Sequence, residues 1–288
     1  MPNIGEIFVV GYVRSGTTLI AAMLDRHSRV AVPPETHFYD LFWPDDRRPA
    51  GTWDEMVDAF LQFRYGDQAY LGLKRDDLLS VAAGVPPRWP SLLRIVLRAY
   101  ARQCGKVFPA EKTPFHLYHV GRILRDFPEA KIIFVTRDGR DALSSAHEVW
   151  PFKNSMEVHA WHWRKAMELM FHFETLFGDR ICRVSYESVL AKPEPQLRRL
   201  CAFCDIDFEP SQLDHRIPTR VAHPHELSWK KNIFQPLSQN RRGRWRETFS
   251  LEDQATMTSI VAPCNAALGL AADEGDRPGA DGGDPKSS

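Results

Sequence analysis

A glycine-bounded segment, residues 11–18 with the sequence Gly-Tyr-Val-Arg-Ser-Gly-Thr-Thr, most narrowly limits how this chain can fold. It closes the continuous apolar run 7–11, which is typical of a buried strand. After it, residues 17–27 place their apolar side chains on one face of a helix. A glycine-rich loop between a buried strand and a helix aims backbone amides at phosphate oxygens. The segment therefore predicts an α/β fold with a phosphate-binding loop.

Further apolar runs extend the fold beyond this loop. Residues 131–136 predict a second buried strand and residues 180–186 a third, and a short strand is expected just before Pro33. Helical patterns separate these runs, notably over residues 116–127, 157–177 and 195–203. Strands that alternate with helices predict a single α/β domain, residues 1–272, with a central parallel sheet flanked by helices.

Two stretches lie outside this alternation. Residues 40–105 contain no convincing strand and are rich in aromatic side chains, so we expect a helical insertion of the kind that often shapes a binding pocket. Residues 273–288 carry five acidic and two basic residues and no large apolar side chain. That composition predicts a disordered acidic tail.

Charge and cysteine usage exclude several classes of protein. The 288 residues carry 37 basic and 37 acidic side chains, and this zero net charge argues against a surface that binds polyanions broadly. Positive charge is concentrated in residues 216–246, which hold eight basic residues and one acidic residue. Five cysteines without disulfide-scaffold spacing predict a reduced, cytoplasmic setting, and no stretch predicts a membrane span.

The phosphate loop lacks the lysine that P-loop nucleoside triphosphatases use. Thr17 stands where that lysine would follow the second glycine, and Arg14 lies two residues before Gly16. In those enzymes the lysine reaches the terminal phosphates and the neighbouring hydroxyl helps to hold magnesium. Its replacement argues against ordinary ATP or GTP hydrolysis. A turn that only joins strand to helix is the alternative, which the strand–loop–helix setting disfavours.

A second anion-binding pattern directly follows the predicted strand 131–136. Arg137 stands at the end of this strand, and Ser145 follows eight residues later in the next helix. Arginine offers a fork of charge-assisted donors and serine a hydroxyl, which together suit a phosphate group. The alternative is a helix cap at Asp138 with solvated arginines. A second such motif at a second strand end favours phosphate binding.

In combination these motifs resemble those of the sulfotransferases that use 3′-phosphoadenosine 5′-phosphosulfate (PAPS), in particular the carbohydrate and tyrosylprotein branches. Three further stretches resemble weaker motifs of the same family, namely residues 112–116, 184–187 and 243–246. The resemblance implies a P-loop fold, PAPS as donor with 3′,5′-ADP as product, no metal, and a hydroxyl acceptor. The nucleotide-binding residues that it implies are Arg14, Ser15, Gly16, Thr17, Thr18, Arg137, Ser145, Tyr186, Arg241, Arg242 and Gly243.

The same resemblance implies catalytic roles. Lys112 is expected to stabilise the bridging oxygen of the leaving phosphate, and Arg14 to contact that phosphate or a sulfuryl oxygen. Glu35 matches the catalytic glutamate of a similar Glu-Thr pair in the tyrosylprotein enzymes and is the favoured base, with His37 second. The cytosolic enzymes use a histidine near a Lys-Thr-His segment, where this chain has Pro114. A surface carboxylate or a structural partner for Lys112 is the alternative interpretation of Glu35.

One position departs from the resemblance. The tyrosylprotein enzymes have a serine just before their late Lys-Trp pair, where this chain has Gly243. In this chain another residue must make the contact that this serine makes in those enzymes, and Ser238 or an arginine is the candidate. The difference weakens the case for a protein tyrosine as acceptor. We expect a small-molecule hydroxyl, in a sugar, lipid, phenol or other metabolite.

Two other functions stay open on the sequence alone. An ATP-dependent P-loop kinase of a small metabolite would need magnesium, but the missing lysine and the Arg137–Ser145 pattern count against it. A nucleic-acid-binding module would use the arginines of residues 241–246. The zero overall charge and the helix-terminal phosphate loop fit a small nucleotide better, so no nucleic acid partner is expected.

Overall fold

The structure, a computed structural model of the 288-residue chain, describes residues 5–43, 50–63, 71–150, 154–216, 221–222, 230, 233, 235–238 and 242–270. The tail predicted for residues 273–288 lies outside the described residues. The strands of the described part are β1 (Ile7–Gly11), β2 (Val30–Ala31), β3 (Phe108–Lys112), β4 (Lys131–Thr136) and β5 (Ile181–Ser185). They form one five-stranded sheet in the order β2-β3-β1-β4-β5.

Every strand pairing in the described sheet is parallel. The first strand, β1, is central: Ile7 is aligned with Ala110 of β3 on one side and with Lys131 of β4 on the other. Because all strands run in one direction, their carboxyl ends meet at a single edge of the sheet. In parallel α/β sheets this edge is where ligands bind.

Helices account for most of the remaining described residues. They are α1 (Thr17–Asp25), α2 (Trp53–Leu61), α3 (Arg75–Ala82), α4 (Trp89–Gln103), α5 (Val120–Asp126), α6 (Gly139–Val149), α7 (Met156–Phe177), α8 (Tyr186–Ala191), α9 (Pro193–Phe203), α10 (Trp245–Thr248) and α11 (Leu251–Ala267). Shorter helical turns are a π-helix, Phe38–Phe42, and 3₁₀-helices at Pro114–His119, Gly178–Arg180 and Pro210–Leu213. Across the described residues, no helix is both long and apolar enough to cross a bilayer.

Side-chain alternation along β1 and β4 divides the helices into two layers. Phe8 and Phe134 belong to a core cluster with α4, α5, α6, α7 and α11. Val9 and Ile133 belong to a second cluster with α1, α8 and α9. Successive residues of a strand point to opposite faces, so both faces of this sheet are covered and its strands are apolar throughout. The predicted α/β fold with a parallel sheet flanked by helices is confirmed.

Strand β3 was not predicted from the sequence. It contains Pro109, Glu111 and Lys112, residue types that normally argue against a central strand, yet all five of its residues are buried. The charges are tolerated because both side chains are paired at the carboxyl edge of the sheet. Two element boundaries also differ, since Tyr186 begins α8 and residues 114–119 form a 3₁₀-helix before α5.

Between residues 40 and 105, the secondary structure of the described residues is helical, with α2, α3 and α4 as its main elements. Helices α2 and α4 pack against the π-helical turn through aromatic rings, since Phe42 contacts the rings of Phe60 and Trp89 at centroid distances of 5.4 and 5.5 Å. The same core cluster includes Phe38, Tyr39, Phe42 and Trp43 of the segment that follows Glu35. The helices therefore help to fix the loop that carries Glu35.

Candidate active site

The phosphate loop connects β1 to α1 and turns through two left-handed residues. Arg14 has φ 63°, and Gly16, which immediately precedes α1, has φ 96°. A Cβ atom added to Gly16 would lie 2.5 Å from Cδ2 of the Tyr186 ring, so both the backbone and the neighbouring ring require glycine. A left-handed conformation at a residue other than glycine is uncommon and concentrates at functional sites.

Three hydroxyl side chains of this loop, those of Ser15, Thr17 and Thr18, are buried. Ser15 is fully buried, and its Oγ has no hydrogen-bond partner within the described part of the chain. A buried polar atom without a partner costs about 1–3 kcal/mol, which an anionic ligand oxygen would offset here. The amino end of α1 adds backbone amides and the positive end of the helix dipole. The loop therefore fits a phosphate or sulfate group.

The predicted second anion site lies against the phosphate loop. Arg14 Nε donates to Ser145 Oγ at 3.2 Å, and Arg137 Nη1 donates to the Arg14 carbonyl oxygen at 3.0 Å. The Arg137 guanidinium lies over the Tyr186 ring, with Cζ 4.9 Å from the ring centroid. Residues that follow β1, β4 and β5 thus converge. Arg14 contacts the predicted 3′-phosphate residue Ser145, although the resemblance implied a contact with the leaving phosphate or sulfuryl group.

The late Gly-Arg-Trp segment packs beside this cluster. The Gly243 amide donates to Asp141 Oδ2 at 3.0 Å, and the Arg140 guanidinium lies 4.7 Å from the centroid of the buried Trp245 ring. Burial raises the pKa of Asp141 despite the opposing charge of Arg137. Arg242 is exposed beside Gly243, and Arg241 lies outside the described residues.

The predicted base, Glu35, lies in a buried cluster of charges. Its Oε1 accepts hydrogen bonds from Lys112 Nζ and from Lys230 Nζ, the latter at 2.8 Å, and its Oε2 is 3.4 Å from His37 Nε2. Lys112 is fully buried, and Glu35, His37 and Lys230 are each less than 10% exposed. The structure therefore brings together all three predicted catalytic residues of this part of the site, namely Glu35, Lys112 and His37.

The lysines determine the charge of Glu35. Burial by itself would raise the pKa of this carboxyl, but the charges of Lys112 and Lys230 hold it well below its usual range. Glu35 is consequently a carboxylate at neutral pH. A carboxylate bound by two ammonium groups is a weak proton acceptor, and loss of either ammonium contact would make it a stronger base.

Lys230 was missed by sequence reasoning. It belongs to the basic segment 216–246, most of which lies outside the described residues, and no motif surrounds it. Its only signal in the sequence is that local excess of positive charge. A contact between residues 195 positions apart becomes visible only in the folded chain.

His37 connects Glu35 to a further carboxylate. It has a left-handed backbone, φ 49°, at the residue before the π-helical turn, and its Nδ1 is 2.9 Å from Asp40 Oδ2. One ring nitrogen therefore faces Glu35 and the other faces Asp40. In the described residues, no group of three or more histidine, cysteine or acidic side chains could hold a metal ion.

The comparisons with known proteins agree with this geometry. The sequence profile of the Sulfotransferase family matches residues 6–210. That match covers more than two thirds of the 288 residues, and this chain belongs to the Sulfotransferase family. The class of enzyme predicted from the motifs is confirmed, and the ATP-dependent kinase is not favoured.

Individual relatives are distant. The protein-tyrosine sulfotransferase 1 of Danio rerio is 25% identical over 284 residues, spanning 91% of this chain and 71% of the relative. The protein-tyrosine sulfotransferase A of Caenorhabditis elegans is also 25% identical, over 91% of this chain and 66% of the relative.

Solved structures share the fold at lower identity. The sulfotransferase domain from the curacin biosynthetic pathway superposes with a TM-score of 0.66 and 17% identity, covering 93% of this chain and 99% of that domain. A mouse sulfotransferase, SULT7A1, complexed with PAP has a TM-score of 0.51 and 13% identity, covering 91% of this chain and 84% of that protein.

Proposed function

We propose that this sulfotransferase moves a sulfuryl group from PAPS to the hydroxyl of a small molecule, with Glu35 as the base. The observation that carries the proposal is the Glu35–Lys112 pair, which lies at the same sheet edge as the phosphate loop. A proton acceptor and a cation are thereby available to one reaction. Support for PAPS also comes from the mouse relative, which was solved with PAP.

The nucleotide would be held by residues from three strand ends. The buried Ser15 hydroxyl and the amides that begin α1 suit the 5′-phosphosulfate. The cluster of Arg14, Arg137 and Ser145 suits a 3′-phosphate, because arginine binds phosphate through paired, charge-assisted donors. The Tyr186 ring lies against Gly16 and Arg137, and we assign it to the adenosine, as the resemblance implies.

Transfer would require two coordinated charge movements. Glu35 takes the proton of the acceptor hydroxyl, while the acceptor oxygen forms a bond to sulfur and the bond from sulfur to the bridging oxygen breaks. The electron pair of that bond stays on the leaving phosphate, where the Lys112 ammonium stabilises it. Lys112 thereby leaves Glu35 as negative charge develops elsewhere, and the pKa of Glu35 rises as its proton arrives. Lys230, the second lysine bound to Glu35 in the structure, would keep its contact with the carboxylate when Lys112 leaves.

We propose a small-molecule acceptor, although the curated relatives described above are named protein-tyrosine sulfotransferases. Two aromatic side chains, Phe115 and Tyr118, follow Lys112 on the 3₁₀-helix, with their rings stacked at 6.3 Å and both more than one third exposed. Exposed aromatic rings this close in sequence to Lys112 favour a phenol or an apolar alcohol as acceptor.

The experiment is transfer of labelled sulfate from PAPS to a panel of 4-nitrophenol, a long-chain alcohol, a hexose and a tyrosine peptide, with and without EDTA. We expect labelling of a small hydroxyl compound that EDTA does not abolish. Labelling of the peptide alone would contradict the small-molecule acceptor. Phosphoryl transfer from ATP with magnesium, in the absence of sulfuryl transfer, would contradict the proposed function.

We also propose that the enzyme works in a reducing compartment, the cytoplasm, as its sparse cysteines predict. All five cysteines are free thiols in the structure, and four of them are buried. Fractionation of source cells with an antibody to the chain tests this. Recovery from an oxidising compartment or from outside the cell would contradict it.

A further inference from the structure

A second buried acid–base pair lies behind Asp40. Nδ1 of His116 is 2.9 Å from Glu111 Oε2, and Nε2 of His116 is 3.5 Å from Asp40 Oδ1. Both His116 and Glu111 have no exposed surface. With Glu35 and His37, these groups form a line in which carboxylates and imidazoles alternate from the candidate base into the protein interior. The proposed chemistry gives no role to its inner half.

We propose that Glu111 and His116 are positioning residues for the reaction: they hold the two segments that carry Glu35 and Lys112, and through Asp40 they support proton uptake by the Glu35–His37 pair. The inference rests on the proposed function, since it assigns a task within the same site. Both side chains are fully buried and their hydrogen bonds go to other groups of the protein, so the task we assign to them is positioning.

Glu111 fastens the two reacting segments to each other. Its Oε1 accepts hydrogen bonds from the Thr36 side chain at 2.9 Å, from the Thr36 amide at 3.3 Å and from the Thr113 side chain at 2.6 Å. Thr36 adjoins Glu35, and Thr113 adjoins Lys112. One buried carboxylate thus fixes the neighbour of the candidate base and the neighbour of the lysine, which sets the separation of the two reactive groups.

His116 holds the carboxylate of Asp40 in its ionised form. Burial by itself would lower the pKa of His116, but the charge of Glu111, the hydrogen bond to Glu111 and the nearby Asp40 carboxylate raise it to about 9. In the structure, Nε2 of His116 accepts the Tyr39 amide at 3.1 Å and lies 3.5 Å from Asp40 Oδ1, an oxygen without a hydrogen-bond partner in the described residues. Protonation of the ring would therefore redirect Nε2 from the Tyr39 amide towards Asp40. Burial would raise the pKa of Asp40, yet the nearby His116 and a hydrogen bond from His37 keep it well below its usual range.

A further titratable group of the described residues, His119, lies close to this pair. His119 lies on the same 3₁₀-helix, and burial together with the charges of His116 and Arg122 lowers its pKa to about 4, so it is neutral at pH 7. An ionised Asp40 is therefore available to stabilise positive charge on His37, which is the ring that faces Glu35. When Glu35 takes the acceptor proton, the proton can be shared with His37 Nε2, and Asp40 stabilises the resulting imidazolium.

The test uses the full-length chain with His116→Asn, which keeps a donor near Glu111 and removes the charge, and Glu111→Gln. The matched control is His119→Asn, the same change three residues away. We expect kcat with the acceptor selected by the panel to fall about 10²-fold in both variants, because small displacements of reacting groups cost that much. The acceptor KM and the affinity for 3′,5′-ADP, measured by calorimetry, should stay within about 3-fold of wild type.

A structural role alone would not reproduce two further results. The double variant should lose no more kcat than either single variant, because residues that act as a unit are not additive. In ¹⁵N-histidine NMR spectra at pH 7.5, His116 of the wild-type chain should be doubly protonated, and in Glu111→Gln it should be neutral. The NMR result can be read on any folded variant and needs no acceptor.

Several outcomes would overturn the inference. These are a neutral His116 in the wild-type chain, an unchanged kcat in His116→Asn, or a loss in His119→Asn as large as that in His116→Asn. A variant that loses 3′,5′-ADP binding in proportion to kcat would also contradict it. A wild-type chain that neither binds 3′,5′-ADP nor transfers label would contradict the proposed function itself. If the wild-type chain does both, the proposed function stands, and the outcomes above test the roles of Glu111 and His116 alone.

Discussion

The two halves of the candidate site are built differently. The phosphate-binding half consists mainly of a contiguous loop, residues 11–18, whose backbone amides and left-handed glycine form the anion site. Arg137, at one strand end, and Ser145, in the helix that follows, complete it. The base half uses side chains from β3, the loop after β2 and a distant basic segment. A contiguous backbone site leaves a motif in the sequence, whereas an assembled side-chain site leaves only scattered residues.

The halves also handle charge differently. In the phosphate-binding half, Arg14 and Arg137 lie close together, and two neighbouring guanidinium groups suit an anionic ligand. In the base half, the charges of Glu35, Lys112 and Lys230 neutralise one another inside the protein. We therefore expect changes in the first half to alter nucleotide affinity, and changes in the second to alter turnover and pH dependence.

The largest effect is expected for Glu35→Gln. Loss of a positioned base should lower kcat by about 10²–10⁴-fold, while calorimetry shows unchanged affinity for 3′,5′-ADP. Glu129→Gln is the control, because Glu129 is an exposed carboxylate just before β4, at the opposite edge of the sheet. Turnover close to wild type in Glu35→Gln would mean that His37 or another group is the base. It would also contradict the assignment of turnover to the half that contains Glu35.

The next effect concerns folding stability and pH. The folded-state pKa of His116 is raised from 6.5 to about 9, so the folded chain binds this proton more tightly than the unfolded chain does. Its contribution, at most about 3 kcal/mol, is complete below pH 6.5 and is lost as pH rises through about 9. The difference in unfolding free energy between wild type and His116→Asn, from urea titrations at several pH values, should shrink over that interval.

His119 is expected to give the opposite dependence of folding stability on pH. Because its pKa is lowered to about 4, its effect on stability is complete above pH 6.5 and is lost as pH falls towards 4. His119→Asn should therefore differ from wild type in its pH dependence below pH 6.5 and not above it. The same pH dependence in both variants would show that the base half is not organised around His116.

The smallest of these effects is expected for Arg137→Ala in the phosphate-binding half. Loss of charge-assisted hydrogen bonds should weaken 3′,5′-ADP binding by about 10–100-fold and leave 5′-AMP binding almost unchanged. Calorimetry with both nucleotides measures this, with Arg198→Ala on the exposed face of α9 as control. Equal losses for the two nucleotides would remove Arg137 from a 3′-phosphate site and would leave only the loop as a defined nucleotide contact.

The phosphate-binding half could be predicted from the sequence more completely than the base half. Strands β1 and β4 were predictable because buried parallel strands are continuous apolar runs, and the loop after each carries a local motif. Strand β3 was not, because Glu111 and Lys112 are stable there only through partners from other parts of the chain. Glu35 and Lys112 could be named through a family resemblance, but Lys230, Asp40 and the inner pair could not.

The strand order has an evolutionary consequence. The base half lies after β2 and at the end of β3, on one side of the central strand β1. The phosphate-binding half consists of the loop after β1 and of residues that follow β4 and β5 on the other side. The base half lies within residues 30–116, apart from Lys230. Selection for a new acceptor can therefore change that stretch without changing the residues that bind the nucleotide.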